Sequence, residues 1–272
     1  MQMQRCFTFR SLSRSLLIPG LFAGLALAAT SSQAQNSPNG DPPPGSARLA
    51  NLSGNVSIQA NGEDQWGQAG DNQPVGSGDR FYTDQSARAE LQTGRVRAYI
   101  GPNSDLTLVN QNDQGIELGL AQGTANIYSD GFEEGRSLFI STPNGGITLS
   151  GRGNFRLDVY PDQQSTVITN GQNGDQLQLN GAGNFSLTLD RLQSVQLSGT
   201  NPVYSQYLEP QQDDDFAHWS AGIESHRYNS RSAQYVSQDM VGYDELDDNG
   251  DWQPQSDYGP IWFPRVEAGW AP

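Results

Sequence analysis

The stretch ARAELQTGRVRAYI, residues 87–100, contains two runs in which apolar and polar side chains alternate. Alternation with a period of two is typical of a β-strand that buries one face. The runs, 87–92 and 95–100, are separated by Thr93 and Gly94, and a short glycine-containing turn between two alternating runs predicts a β-hairpin. This hairpin indicates the class of the whole fold because the same pattern continues on both sides of it.

The alternating pattern extends from Ala47 to about Pro202, and turn-forming pairs such as Asn-Gly and Gly-Pro separate most of the runs. Outside the first hairpin, the predicted strands are 55–60, 105–109, 116–120, 124–128, 137–140, 147–149, 154–159, 165–169, 175–179, 185–189 and 194–197. The sequence therefore predicts an all-β fold of many short antiparallel strands, arranged as a twisted sandwich, a roll or a solenoid-like sheet.

The chain of 272 residues is acidic and rich in glycine. Its formal net charge is −15, all 15 of its basic residues are arginine, and 31 residues are glycine. A negative surface repels the phosphates of nucleic acids and the headgroups of anionic lipids, so neither is expected as a partner. Abundant glycine suits tight turns between strands better than it suits helical layers.

The first 34 residues are predicted to be a secretory signal peptide. They contain three arginines, no acidic residue, an apolar run at 16–29, and small residues at the positions that define cleavage after Ala34. The alternative is an uncleaved anchor, but the run is shorter than the ~20 residues that span a bilayer. Residues 35–46 then form a proline-rich linker. These features predict a periplasmic or secreted bacterial protein with no stable membrane span after cleavage.

The composition changes after about residue 202. Acidic residues at 213–215 precede a segment that predicts one helix, from about 214 to 228, within an acidic linker and helix region at 203–231. Residues 232–272 form a tail rich in Trp, Gly and Pro, which is predicted to be irregular. The tail contains a loose repeat of a glycine, a tryptophan within three residues and a proline two positions further on. The repeat occurs at 250–254, 259–264 and 269–272.

Several short motifs of the β-rich part resemble the FecR-like domain of bacterial proteins. They follow the family's order as LSGNVS at 52–57, GDRFYT at 78–83, ARAEL at 87–91, GTANI at 123–127 and STP at 141–143. The resemblance implies a FecR-like β-domain at 47–150, followed by a continuing β-rich region at 151–202. Motifs in the tail, such as SAQYV at 232–236, resemble a C-terminal region of uncharacterised function that follows such domains in some secreted bacterial proteins.

The best-known members of this family relay a signal across the inner membrane to a cytoplasmic sigma factor. That relay uses a cytoplasmic regulatory segment ahead of a spanning helix. Only fifteen residues precede the apolar run in this sequence. The resemblance therefore implies the periplasmic β-module without the sigma-factor relay.

The residues give little support to catalysis or to a bound cofactor. The one cysteine, Cys6, lies in the predicted leader, which excludes thiol chemistry and disulfides from the mature chain. His218 and His226, eight positions apart on the predicted helix, are too distant to share a metal ion. An EF-hand loop that began at Asp247 would require a glycine at its sixth position and a glutamate at its twelfth, where the sequence has Trp252 and Tyr258. We therefore expect a non-enzyme that needs no cofactor or metal, and an envelope hydrolase is the least supported alternative.

The tail contains the candidate binding residues, Trp252, Tyr258, Trp262 and Trp270. Such side chains can pack a tail onto its own domain, bind a protein or stack on a carbohydrate. We expect a non-catalytic module that mediates protein–protein interaction, as sensor or scaffold, with a protein of the cell envelope as partner. The alternative is binding to the cell wall or to another polysaccharide through the aromatic tail.

Overall fold

A computed structural model of the chain describes residues 47–266. The predicted signal peptide at 1–34, the predicted linker at 35–46 and the candidate residue Trp270 lie outside the described residues. What the sequence predicts of these three features therefore stays a prediction.

Short strands make up most of the described part of the chain. The strands are β1 (Ala47–Ser53), β2 (Val56–Gln59), β3 (Gly67–Gln68), β4 (Pro74–Val75), β5 (Arg80–Thr83), β6 (Arg88–Thr93), β7 (Val96–Ile100), β8 (Asp105–Asn112), β9 (Gly115–Asp130), β10 (Ser137–Thr142), β11 (Gly145–Leu149), β12 (Arg152–Tyr160), β13 (Ser165–Asn170), β14 (Leu177–Gly181), β15 (Phe185–Leu189), β16 (Ser194–Ser198), β17 (Tyr204–Leu208), β18 (Gly250–Gln255) and β19 (Gly259–Pro264).

Helices are few by comparison. The α-helices are α1 (Asp215–Tyr228) and α2 (Glu245–Asn249), and single turns of 3-10 helix occur at Pro161–Gln163 and Ser232–Gln234. Within 47–266, none of these helices has the length and apolar character that a membrane crossing requires.

The first seventeen strands form two layers that share β9. Layer 1 has the order β4-β1-β6-β7-β9-β12-β13-β16-β17, and layer 2 has the order β3-β2-β5-β8-β9-β10-β11-β14-β15. All neighbouring strands are antiparallel except β9 and β10, which are parallel. One hydrophobic core contains buried side chains from both layers. The predicted all-β fold of short antiparallel strands is therefore confirmed, with the two layers packed as a sandwich.

Strand β9 passes from one layer to the other at Gly123. Its residues up to Gln122 pair with β8 in layer 2, and those from Gly123 onward pair with β12 in layer 1. Gly123 has a φ of +88°, and a Cβ there would lie 2.5 Å from the Cα of Ser104. Glycine therefore permits the bend without ending the strand. The sequence predicts two strands here, 116–120 and 124–128, because the polar and glycine residues between them resemble a turn.

The alternating pattern does not predict β1 or β17. The sequence of β1, ARLANLS, does not alternate strictly, although this strand pairs with both β4 and β6. β17 lies beyond Pro202, where the predicted β-region ends, and forms the edge of layer 1. β1 depends on pairing with strands that are distant in the chain, which a local pattern cannot reveal. β17 pairs with its chain neighbour β16, and it is not predicted because it follows the turn at 199–203, where the predicted β-region ends.

Helix α1 packs on the outer face of layer 1, and its bounds confirm the helix predicted at 214 to 228. Asp214 is the N-cap, and its carboxylate accepts a hydrogen bond of 2.8 Å from a backbone N–H of the first turn. Phe216 and Trp219 stack with ring centroids 5.8 Å apart, and Trp219 meets Tyr99 of β7 edge-on. The aromatic contact between helix and layer is therefore concentrated in the first half of the helix.

The described part of the tail, 232–266, is more regular than the sequence predicts. The short helix α2 precedes a hairpin of β18 and β19, in which Trp252 pairs with Trp262. Each strand of the hairpin coincides with one unit of the sequence repeat, because the aromatic residues of each unit favour strand structure. The expectation of an irregular tail is corrected for these two units, and the third unit, 269–272, lies outside the described residues.

Candidate functional site

The two tryptophans of the hairpin attach it to the residues that precede it. Trp252 and Trp262 occupy opposite positions on neighbouring strands and are half-buried. Nε1 of Trp252 donates to Oγ of Ser232 at 2.8 Å, and Nε1 of Trp262 donates to the backbone oxygen of Leu246 at 2.9 Å. The ring of Trp252 also lies against Tyr235, with centroids 4.6 Å apart. Because an isolated two-stranded hairpin is only marginally stable, these contacts fix its position.

Asp247 organises the turn on which the hairpin rests. Its carboxylate accepts hydrogen bonds of 2.6 to 3.1 Å from the hydroxyls of Ser230 and Ser232 and from the backbone N–H groups of Arg231 and Ser232. Partial burial alone would raise the pKa of Asp247, but these hydrogen bonds outweigh burial and lower the pKa from its ordinary value of 3.8. The first acid of the run 247–251 is therefore used to hold a turn.

The face of the hairpin opposite its tryptophans leaves large apolar side chains in solvent. The strand register places Ile261 and Phe263 on this face, since neighbouring residues of a strand point to opposite sides. Phe263 is 40% exposed, and Tyr258, in the turn that joins the strands, is 82% exposed. We name the three residues Tyr258, Ile261 and Phe263 the hairpin surface.

Prolines limit how another chain could bind the hairpin. Pro254 and Pro260 lie opposite each other, and Pro264 ends β19. Proline has no N–H group to donate to an added strand, so it protects an exposed strand edge. Recognition by the hairpin is therefore expected to use the side chains of the hairpin surface.

A buried ionic network holds α1 against layer 1. Arg97 of β7 donates hydrogen bonds of 2.9 and 2.8 Å to the two carboxylate oxygens of Glu224 on α1, and it also pairs with Asp130. Burial alone would lower the pKa of Arg97, but Glu224 and Asp130 outweigh burial and raise the pKa. The hydroxyl of Tyr99 donates to Glu224 at 2.8 Å. Burial and the nearby charges of Glu90 and Glu224 raise the pKa of Tyr99, so its hydroxyl remains a donor.

Arg227, near the end of α1, continues this network. Its guanidinium lies within 3.3 Å of the carboxylate of Asp244 and close to that of Glu90, and the side chain of Arg227 is 6% exposed. Nε and Nη2 of Arg227 have no hydrogen-bond partner of good geometry among the described residues. Burial alone would lower the pKa of Arg227, and the surrounding negative charges outweigh burial and raise the pKa. The attraction at this point is therefore ionic rather than directional.

Arg48 of β1 connects layer 1 to the segment that leads into the hairpin. Its guanidinium pairs with Glu245 of α2, and its Nε donates to the side chain of Gln92 at 3.0 Å. Gly242 passes so close that a Cβ there would lie 2.6 Å from Nη2 of Arg48. The residues before the hairpin are thus attached to the sandwich through a partly buried ion pair.

A cleft of about 260 Å³ lies between the start of α1 and the outer face of layer 1. Its lining is mostly amides and hydroxyls, including Asn126, Tyr128, Asn154, Thr169, Gln211 and Gln212. Arg156 at the cleft donates to Asp158 at 2.9 Å and pairs with Asp214 at 2.9 Å. The hydrogen bond from Arg156 has the largest effect and lowers the pKa of Asp214. Burial opposes it with a smaller effect, and the N-cap hydrogen bond lowers the pKa further. The positive charge of Arg156 is therefore neutralised by two carboxylates, and Asp213 adds a further acid to the lining of the cleft.

The two histidines lie apart from any grouped set of ligands. His218 is exposed on α1, and Nε2 of His226 lies 3.4 Å from a carboxylate oxygen of Asp248 at the surface. Within 47–266, no three side chains of His, Cys, Asp or Glu are grouped closely enough to hold a metal ion. These histidines contribute a surface contact at most.

Of the predicted binding residues, the structure brings Trp252 and Trp262 together and places Tyr258 at the far end of the same hairpin. Sequence reasoning missed the ionic residues that support the hairpin and α1. They are Arg48, Glu90, Arg97, Glu224, Arg227 and Asp247. The sequence does mark two of them, because Glu90 and Arg97 are charged residues at the predicted solvent-facing positions of the stretch 87–100. The pattern did not show that a helix covers that face.

No family model matches the chain, and no curated protein matches it. Two crystal structures of a protein from Parabacteroides distasonis ATCC 8503, titled "putative anti-sigma factor", are similar to it. The structure at 2.50 Å is 9% identical and the one at 1.65 Å is 8% identical; each match covers 69% of this chain and 99% of that chain with a TM-score of 0.42. Similarity at this level does not support an inference about what this chain binds.

Proposed function

We propose that this chain is a non-catalytic protein-interaction module of the bacterial cell envelope. In this proposal a FecR-like β-domain presents the C-terminal hairpin to a partner protein. The observation that carries the proposal is the hairpin surface, in which Tyr258 and Phe263 are exposed and Ile261 is half-buried, on a hairpin that is fixed by its tryptophans. Aromatic side chains that are already held in place lose little conformational entropy on binding, which makes them effective anchors.

A location outside the cytoplasm is part of the proposal. The leader, with its arginines followed by an apolar run, supports export to the periplasm or the medium. The resemblance of the β-rich part to the FecR-like domain supports a regulatory or scaffolding role in that compartment. Export is tested by fractionating cells that express the full chain and by sequencing the N-terminus of the exported protein.

The contacts of Trp252 and Trp262 argue against these two rings as a platform for a glycan. A carbohydrate platform needs flat aromatic faces that are free in solvent. One face of Trp252 lies against Tyr235, and the indole N–H groups of Trp252 and Trp262 are both bonded within the tail. The free apolar groups are instead those of the hairpin surface, which suit a shaped protein surface. Binding to the cell wall remains the alternative outcome of the experiment.

The experiment places a photo-crosslinking residue at position 263 and, as a control, at position 228. Tyr228 is 89% exposed at the end of α1 and belongs to neither strand of the hairpin. We expect one defined envelope protein to crosslink from position 263 in growing cells and not from position 228. The crosslink should persist when the cell wall is digested. Equal crosslinking from both positions would contradict the proposal.

Binding of the captured protein is then measured for Tyr258→Ala and for the matched control Tyr228→Ala. Truncating an aromatic anchor is expected to weaken binding ~5-fold or more, since anchors of this kind contribute over 1 kcal/mol. The control should bind as the unaltered chain does. If the purified chain instead pellets with bare cell wall and is released by soluble glycan, the polysaccharide alternative replaces the proposal.

A further inference from the structure

One end of the sandwich presents two strands whose outer edges are unpaired among the described residues. β17 pairs only with β16 in layer 1, and β15 pairs only with β14 in layer 2. Each strand has five residues, so each edge presents a row of backbone N–H and C=O groups to a further strand. We name these two edges the open end.

Other edges of the fold are protected, and the open end is not. At the opposite end of the layers, β3 and β4 are two residues long, and β4 begins with Pro74. The C-terminal hairpin contains three prolines. Neither β15, with the sequence FSLTL, nor β17, with the sequence YSQYL, contains a proline or a charged residue. Short strands, proline and charge are the devices that prevent strand addition, and the open end has none of them.

The hydrophobic core continues to the open end. Phe185 and Leu187 of β15 are half-buried and pack against the core. Tyr207 of β17 lies opposite the buried Val195, so it is on the core side of layer 1, and it is 54% exposed. The two free edges therefore have partly exposed apolar side chains between them.

The open end is also neutral, although the chain is strongly acidic. Residues 176–208 contain one acidic residue, Asp190, and one basic residue, Arg191, whereas the whole chain has a net charge of −15. Two copies of such a chain repel each other through most of their surfaces. They do not repel each other through this end.

We propose that the open end binds the open end of a second copy of this chain. A suitable partner must supply two strand edges at the separation of the two layers, with apolar side chains between them. A second copy supplies both edges, whereas a single extended peptide would cover one edge and leave the other exposed. A two-fold axis perpendicular to the layers pairs β17 with the second copy's β17 and β15 with its β15, both antiparallel. This proposal does not rest on the proposed function of the hairpin.

The test is the mass of the exported, purified chain, measured by size-exclusion chromatography with light scattering over a concentration series. We expect a species with twice the monomer mass. Gln206→Lys, at the exposed centre of β17, should give a monomer, because the two-fold axis would bring two lysines together. The control Tyr228→Lys adds the same charge on α1 and should leave the dimer intact. Circular dichroism confirms that each variant is folded.

A cysteine at the same position locates the interface. Because Cys6 lies in the predicted leader, Gln206→Cys provides the one thiol of the exported chain. Residues directly opposite on antiparallel strands have Cβ atoms about 5 Å apart, so mild oxidation should give a disulfide-linked dimer. The control Tyr228→Cys should form no disulfide-linked dimer, while its non-covalent dimer persists. A monomeric mass at every concentration would overturn the proposal, and so would a dimer that survives Gln206→Lys. Pairing of β17 with a different protein would identify another occupant and overturn it equally.

Discussion

The guanidinium of Arg227 on α1 lies 3.0 Å from the carboxylate of Glu90 on β6, and both side chains are buried. Glu90 also accepts hydrogen bonds from the amides of Asn51 and Gln92, at 2.6 and 3.0 Å. A helix that covers a sheet normally does so through an apolar face. Here the second half of α1 is attached through charge, so its stability depends on both members of the pair being present.

Replacing Arg227 by Met is expected to destabilise the fold by about 3 kcal/mol, because removing one partner of a buried ion pair leaves the other uncompensated. The measurement is the free energy of unfolding in urea. Arg227→Met combined with Glu90→Gln should recover part of the loss, since it removes the charge of one of the two buried carboxylates, Glu90 and Asp244, that Arg227 neutralises. Arg231→Met, at an exposed position, is the control. A loss no larger than that of the control would contradict an energetic role for the pair.

Asp247→Asn is expected to lower the stability of the fold at neutral pH. The stability of this variant should also change less than that of the unaltered chain as the pH falls into the acid range. The pKa of Asp247 is lower in the folded chain than its ordinary value of 3.8. Its carboxylate therefore contributes stability above the unfolded pKa, and this contribution is lost as the pH falls through the folded pKa. The gap in thermal midpoint between the unaltered chain and Asp247→Asn should narrow as the pH falls below 3.8. Asp248→Asn, which changes a surface contact with His226, should show little gap at any pH.

Trp262→Ala should release the hairpin while leaving the sandwich folded. The substitution removes the hydrogen bond to the backbone of Leu246 and the ring that packs over Gly250. Limited proteolysis is the measurement, with cleavage expected between 250 and 264 and a stable core fragment that begins before β1. Trp66→Ala changes a tryptophan that is 42% exposed in a loop of the sandwich, and it should not sensitise the hairpin. Unchanged resistance of the hairpin would show that Trp252 alone holds it.

Gly123→Ala is expected to destabilise far more than Gly62→Ala. Both glycines have a positive φ, +88° and +83°, so each alanine costs about 1–2 kcal/mol in backbone strain. At Gly62 a Cβ meets nothing within 4 Å, whereas at Gly123 it collides with Ser104. The difference between the two variants in free energy of unfolding, measured in urea, therefore gives the cost of the close approach of position 123 to Ser104. Equal losses of stability in the two variants would mean that the backbone near Gly123 and Ser104 makes room for the added Cβ without a further loss of stability.

Local patterns predicted those parts of the fold that depend on neighbouring residues. The hairpin of β6 and β7 and the helix α1 follow from alternation, from Thr93-Gly94 and from the acidic residues 213–215 at the start of the helix, all of which act within a few residues. β1 was not predicted because its strand character arises from pairing with β4 and β6, more than twenty residues away in the chain. β9 was predicted as two strands because the bend at Gly123 has the composition of a turn.

The candidate site could be predicted only in part, for a related reason. An aromatic tail with a repeating Gly, Trp and Pro pattern indicated which residues matter, and two of its units became the paired strands of the hairpin. The residues that support it are charged and distant in sequence, as Arg48 and Glu245 are. A charge on the outer face of a strand predicts contact with solvent unless the position of the covering element is known. Only the tertiary structure places that element.

The continuity of β9 determines how the two layers can move. In a sandwich whose layers are joined by loops, one layer can slide over the other as the loops change shape. Here sixteen consecutive residues in strand conformation belong to both layers, so sliding along the strands would stretch the main chain at Gln122 and Gly123. A force that displaces layer 1 along its strands is therefore passed to layer 2 through the main chain of β9. The sandwich bears tension as a single mechanical unit.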